Sequence, residues 1–229
     1  MTMKHLLTTL ILLVASLTAA AQQDLEYKME IGGGVGLSTY LGDFNSSFTS
    51  DMQPMASIML RRVLNPYMSF RADLAYMGLK GNSRNSGTYY PGLEEEPYSF
   101  STSMGSLDLT CEYNFLPYGT GHDYRGAKRV VPFIFGGFGL NYASCNSNGV
   151  FTANVPLGFG VKYKAGERIN VGLEYAFHFS LSDKLDAAAD PYGIKSSGLF
   201  KNTDCYTALQ LSVTYSFMPK CRTCHNDRD

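Results

Sequence analysis

Near its carboxyl end the chain alternates strictly: Leu209, Leu211, Val213, Tyr215 and Phe217 fall on one side, and Gln210, Ser212, Thr214 and Ser216 on the other. A second stretch repeats the pattern, with Ile169, Val171, Leu173, Tyr175, Phe177 and Phe179 separated by Asn170, Gly172, Glu174, Ala176 and His178. A period of two is the period of a β-strand. A strand that is apolar on one side and polar on the other suits a barrel with hydrocarbon outside and polar groups inside. Eight segments carry versions of this pattern. They run from about Tyr27 to Leu41, Met55 to Leu64, Tyr67 to Gly78, Tyr98 or later to Phe115, Val130 to Ala143, Asn154 to Lys164 and Ile169 to Phe179, with the last following the long stretch Ser180 to Asp204. The prediction is an all-β chain folded as an eight-stranded antiparallel up-and-down transmembrane β-barrel.

The alternation also assigns faces. In the third strand Met68, Phe70, Ala72, Leu74 and Tyr76 point outward, with Arg71 and Asp73 inward. In the fourth, Leu107, Leu109, Cys111, Tyr113 and Phe115 oppose Asp108, Thr110, Glu112 and Asn114; in the sixth, Val155, Leu157, Phe159, Val161 and Tyr163 point outward. The fifth strand is apolar on both faces, which leaves its orientation open. Asn65-Pro66 and Lys164-Ala165-Gly166-Glu167 read as tight turns. With both termini in the periplasm, these turns fall inside, and the long connections 42–54, 79–97, 144–153 and 180–204 fall outside. The connection Leu116 to Arg129 is the exception, long for a periplasmic turn. Tyrosine favours the boundary between hydrocarbon and water. Tyr27, Tyr67, Tyr113, Tyr163 and Tyr215 fall at the predicted periplasmic ends, and Tyr76 and Phe177 at the outer ends. Tyr40 and Tyr206 have the right depth but the inward face.

The first 21 residues read as a secretion signal: a short basic start from Met1 to His5, an apolar stretch from Leu6 to Leu17, and Ala19-Ala20-Ala21 as the cleavage site. No cysteine follows the cut, so lipoprotein processing is not expected. The apolar run is too short to span a membrane as a helix, and no later run approaches eighteen apolar residues. Residues 22–217 then form one barrel domain, without a boundary to divide it, and residues 218–229 a periplasmic tail. The 19 basic and 20 acidic side chains nearly balance, giving no bulk electrostatic reason for a nucleic-acid partner. The 23 glycines, 16 tyrosines and 14 phenylalanines, without tryptophan, suit curved strands with aromatic ends.

An eight-stranded barrel is filled by its own side chains, so the inward Arg71, Asp73, Asp108, Glu112, Lys162 and Glu174 must satisfy one another. They read as a buried network of ion pairs and hydrogen bonds. The competing reading, a pair of carboxylates working as acid and base, lacks a local motif and a cleft. Gly32-Gly33-Gly34-Val35-Gly36 has neither the Lys-Ser/Thr nor the helix of a phosphate-binding loop, and close strand approach explains it better. Asp183, Asp186 and Asp190 miss the spacing of a calcium loop. Ser180 and Ser182 near His178 lack the strand-turn-helix elbow of a hydrolase. The five cysteines are Cys111, Cys145, Cys205, Cys221 and Cys224; the last two form Cys-Arg-Thr-Cys-His. That is half of a zinc motif, without the βαβ context of a redox site, so a plain tail or a local disulfide is expected. No metal, cofactor or catalytic residue is assigned, and no small-molecule substrate is expected.

Several stretches together resemble a known family. Glu30 to Gly36 with Tyr40-Leu41-Gly42-Asp43, and Glu112-Tyr113-Asn114-Phe115-Leu116-Pro117-Tyr118-Gly119, are similar to the PorG-like outer-membrane proteins of Bacteroidetes. So are Pro156-Leu157-Gly158 with Gly160 to Lys164, Ser182 to Asp186, Asp190 to Gly198, and the tail Lys220 to Cys224. The resemblance covers nearly all of the mature chain. It implies a non-enzymatic, integral outer-membrane component of the type IX secretion machinery that associates with the periplasmic ring of PorK and PorN. On that reading the long connection, with Tyr118, His122 and Arg125, and the tail, with Cys221 and Cys224, are candidate docking surfaces. The segment Asp183 to Ser197 would lie on the opposite side and is not explained by ring contact. The rival is a stand-alone OmpX-like barrel whose outer loops bind ligands or surfaces.

Overall fold

A computed structural model of the chain describes residues 27–41, 51–82, 99–119, 127–145, 148–181 and 205–219. The signal segment, Asp183 to Ser197, His122, Arg125, Cys221 and Cys224 lie outside the described residues. Eight strands follow one another: β1 (Tyr27–Leu41), β2 (Gln53–Asn65), β3 (Met68–Asn82), β4 (Ser99–Asn114), β5 (Val130–Cys145), β6 (Asn148–Lys164), β7 (Ile169–Ser180) and β8 (Cys205–Pro219). Each pairs antiparallel with its sequence neighbours, and β1 pairs with β8, so the sheet closes into the expected eight-stranded barrel. Closure leaves no sheet edge: Val35, for example, faces Ala56 on one side and Leu211 on the other. Closure is what allows a β-sheet to sit in a medium that offers no hydrogen bonds.

Side chains alternate across the wall as the sequence requires. Leu107, Leu109, Leu157, Phe159, Leu173, Leu211 and Val213 are exposed on the outside, while Asp108, Glu112, Lys162, Glu174, Gln210 and Ser212 are buried inside. The orientation of β5 is resolved: Val131, Phe133 and Phe135 fill the lumen, and Ile134, Phe138, Leu140 and Tyr142 face out. Tyr40 and Tyr206 are buried on the inner face. They join Met55, Met77, Leu79 and Met104 in an apolar plug toward the end of the barrel where β1 ends and β8 begins. At the end of the barrel where β1 begins and β8 ends, called the terminal end below, Val63, Tyr118 and Val131 form a smaller apolar cap.

Several boundaries move. The segment 144–153, expected as a long connection, is mostly strand: β5 and β6 stay paired from Ala143↔Val150 to Cys145↔Asn148. Its polar sequence hid the strand because the apolar alternation fades there. For the same reason β3 continues past Gly78 to Asn82, and β8 runs on through Met218 and Pro219, which were expected in the tail. Both expected tight turns form. The Asn65 Oδ1 atom accepts from the backbone N–H groups of Tyr67 (2.8 Å) and Met68 (2.7 Å), and the N–H groups of Ala165 and Gly166 both donate to Ile169 O at 3.0 Å. Tyr113, Tyr163 and Tyr215 stand exposed on the outer wall toward the terminal end. Tyr27 at the same end is covered, its ring under the guanidinium of Arg168, which also donates to its hydroxyl at 3.0 Å.

Gly137 of β5 faces inward where β4 passes closest. A Cβ there would overlap the carbonyl oxygen of Leu109 and lie 2.8 Å from Thr110 Cα. Backbone cannot yield as a side-chain tip can, so Gly137→Val should cost about 1–3 kcal/mol. Gly105→Ala, where nothing lies within 4 Å of the added carbon, should stay within about 0.5 kcal/mol of the parent. Urea unfolding in phospholipid vesicles measures both, and equal midpoints for the two variants would refute the close approach.

Candidate functional site

The interior polar network lies in the half of the barrel nearer the termini. Strand alternation puts Glu30 of β1, Arg61 of β2, Arg71 of β3, Glu112 of β4, Lys162 of β6 and Glu174 of β7 on the inner face, all buried. They form a chain of alternating sign. Arg61 Nη1 meets Glu30 Oε2 at 2.6 Å and Arg61 Nε meets Glu112 Oε2 at 2.8 Å. Glu112 also takes Lys162 Nζ at 2.5 Å and Arg71 Nη1 at 3.3 Å, and Arg71 Nη1 reaches Glu174 Oε2 at 2.6 Å. Glu112 thus touches three cations from three strands. Asp73 is more loosely held, 3.8 Å from Arg71 Nε.

Aromatic rings supply part of the cations' environment. Lys162 Nζ sits 4.4 Å from the Phe133 ring centroid, and the Arg71 guanidinium 4.6 Å from that of Phe135. This places apolar β5 against the charged strands, since a cation over an aromatic face is attracted by the ring quadrupole. Deeper toward the opposite end a second group forms around Asp108. Asn154 Nδ2 donates to Asp108 Oδ1 at 3.1 Å and to Asn141 Oδ1 at 2.6 Å, and Tyr206 donates to Asn141 at 3.2 Å. The His178 ring stacks on Tyr206 with centroids 4.3 Å apart, its Nδ1 atom 3.9 Å from Asp108.

The long β4–β5 connection corrects one expectation. Tyr118 was a candidate docking residue on the surface, but it is only 1% exposed. Its hydroxyl donates to Glu30 Oε1 at 2.6 Å, its ring lies 5.0 Å from Lys162 Nζ, and its backbone N–H donates to Pro66 O at 2.9 Å. Among the described residues of the connection Tyr118 inserts its side chain, and Lys128 N–H donates to Pro117 O at 3.1 Å, joining the two described ends of the connection. Burial, with the Glu30 carboxylate at its hydroxyl, holds the Tyr118 phenol well above the usual tyrosine range, so it remains a donor.

Sequence reasoning missed Glu30, Arg61 and the role of Tyr118. Arg61 could have been found by parity, because Ile58, Leu60 and Leu64 claim the outer face of β2. What the arrangement can do chemically is limited by space. The cavity between Asp73, Asp108, Glu174 and His178 measures about 20 Å³, room for about one water molecule. His178 and Ser180 are both buried on the inner face. Among the described residues no group of three or more His, Cys, Asp or Glu could hold a metal ion.

Comparison with solved structures shows the same fold at low identity. Neisserial surface protein A is 14% identical with a TM-score of 0.52, and the match covers 82% of this chain and 97% of that one. The attachment invasion locus protein Ail of Yersinia pestis, in complex with the heparin analogue sucrose octasulfate, is 11% identical with a TM-score of 0.49 over 84% and 100%. The outer membrane protein OprG of Pseudomonas aeruginosa is 9% identical with a TM-score of 0.43 over 86% and 99%. No curated protein matches the chain. Residues 4–226 match the family described as a domain of unknown function, DUF6089, and the chain belongs to that family.

Proposed function

We propose that this protein is an integral outer-membrane barrel, with both termini in the periplasm, that serves the type IX secretion machinery as a non-enzymatic structural part associated with the periplasmic PorK and PorN ring. The observation that carries the membrane assignment is the inverted wall: Leu, Phe, Val and Tyr cover the outside while ion pairs fill the inside. Water would not tolerate so continuous an apolar surface on a monomer. Apolar clusters toward both ends of the lumen, and a cavity of only about 20 Å³ beside Asp73 and Asp108, support a role played on the rims. The secretion assignment is supported by the family resemblance over nearly the whole mature chain. It is also supported by the length of the β4–β5 connection, whose described base is pinned by Tyr118. With Tyr118 used inside, docking falls to His122, Arg125 and the tail around Cys221 and Cys224.

Crosslinking in intact cells, followed by identification of the attached partners, should recover the ring proteins, and loss of the protein should abolish export of unrelated cargo. Intact export in its absence would overturn the reading. That result would favour a stand-alone OmpX-like barrel acting through the connections 42–52, 83–98 and 182–204 at the opposite end.

A further inference from the structure

The outer wall is not evenly covered. Around the Cys111↔Gly136 pair, near Ala72, small side chains leave an apolar notch of about 610 Å³. Leu60, Phe70, Leu109 and Phe138 form its walls. Phe138 is 77% exposed, so this wall stands free rather than packing against the protein. At the edge of the notch lies Arg62, paired across the strands with Met29 and Phe70. Its parity directs it outward, away from the lumen ion pairs, and it is exposed. Among the described residues it has no acidic partner, unlike Arg61 beside it.

Charge at this end is one-sided. Outside the buried lumen network, Lys28, Arg62, Lys128, Arg129, Lys164 and Arg168 lie at the terminal end among the described residues, against the acid Glu167. At the opposite end the described charges are Asp51 and Lys80. A basic band beside an apolar wall is the arrangement that attracts acidic lipid headgroups.

We infer that the notch is a specific site for an acidic glycerophospholipid, with an acyl chain lying over Ala72, Cys111 and Gly136 and the phosphate paired with the Arg62 guanidinium. The inference rests on the membrane reading above, in which the terminal end faces the phospholipid leaflet. Volume and charge both favour this occupant. The notch is an open apolar hollow in which Ala72, Cys111 and Gly136 leave room between Leu60, Phe70, Leu109 and Phe138, and its roughly 610 Å³ suits a flexible chain better than a folded element. A buried protein partner would in addition have to supply an acid for Arg62, where a lipid brings its own.

The test is native mass spectrometry of the barrel exchanged from a mild detergent after exposure to phosphatidylglycerol or phosphatidylcholine. The parent protein should keep one phosphatidylglycerol in preference to phosphatidylcholine. Arg62→Gln should weaken that retention roughly five- to tenfold. Cys111→Phe, which fills the notch from an outward position and leaves the charge in place, should do the same. Equal retention of both lipids, unaffected by either variant, would overturn the site, as would preferential retention of lipid A. A Cys111 to Cys111 crosslink between barrels in membranes would assign the notch to a second copy and also overturn it. Heat-dependent gel mobility after insertion into vesicles reports the barrel's membrane folding independently. Failure of the parent to insert would refute the membrane reading, whereas insertion without lipid preference would refute only the site.

Discussion

Replacing Glu112 by alanine should destabilise the barrel by about 3–5 kcal/mol, the usual penalty for stripping one partner from buried charges. Glu112 is 0% exposed and touches Lys162 at 2.5 Å, Arg61 at 2.8 Å and Arg71 at 3.3 Å. After its removal Arg61 keeps Glu30 and Arg71 keeps Glu174. Lys162 keeps only the Asn114 side chain at 3.0 Å and the rings of Phe133 and Tyr118. Three cations then share a lumen with one counter-charge fewer, and at least one ammonium is buried without an ionic partner. The double variant Glu112→Met with Lys162→Met removes the stranded charge along with its partner and should recover more than half of the loss, since apolar replacement of a whole buried pair is often tolerated. Asp73→Asn should cost far less, because Asp73 meets its one cation at 3.8 Å. Urea unfolding in phospholipid vesicles gives the order. A Glu112→Ala barrel as stable as Asp73→Asn would show that the alternating charge chain is not what holds this half together.

The strands that could be read most fully are those in which hydrocarbon outside and polar groups inside impose opposite demands. β7 and β8 alternate because every second residue must be apolar, and the faces assigned to Leu211, Leu173, Gln210 and Glu174 follow from that alone. β5 escapes the rule because its inner face is also apolar: Phe133 and Phe135 serve as surfaces for the Lys162 and Arg71 cations. A lumen can be satisfied by charge against charge or by charge against ring, and periodicity registers only the first. Where strands outrun the roughly 9–11 residues needed to cross a bilayer, lipid no longer enforces alternation. The extensions at Asn148–Ala153 and Leu79–Asn82 therefore carry no apolar alternation although they are paired as strand.

The missing members of the network were hidden for local reasons. Glu30 is followed by Ile31 and then Gly32, Gly33 and Gly34, and a run of glycines has no faces to count. Gly36 at the end of this run is required, because a Cβ would overlap the backbone carbonyl oxygen of Leu209 and lie 2.9 Å from Gln210 Cα. Arg61 sits beside Arg62, so composition shows two cations and only parity separates the lumen residue from the one at the outer wall. Connections carry no period, and nothing in Leu116 to Arg129 could reveal that Tyr118 turns inward.

Tyr118 should therefore behave as a structural key. Tyr118→Ala removes a ring packed with Val63 and Val131 and a donor to Glu30, and the loss should reach about 3–5 kcal/mol, as for other buried aromatics cut to alanine. Tyr118→Phe keeps the ring and loses only the hydroxyl. Asn170 Nδ2 and Ser216 Oγ still donate to Glu30 Oε1, each at 3.3 Å, so the cost should stay near 1–3 kcal/mol. The alanine variant also opens the terminal end of the lumen to water. It should nevertheless pass no current in a planar bilayer, because Tyr40, Met77, Leu79, Met104 and Tyr206 still close the opposite half. Unfolding midpoints in the order parent, Phe, Ala with no conductance are the expected result. An alanine variant as stable as the parent would mean that the connection is merely laid against the rim, and a conducting one would mean that the apolar plug is not a seal.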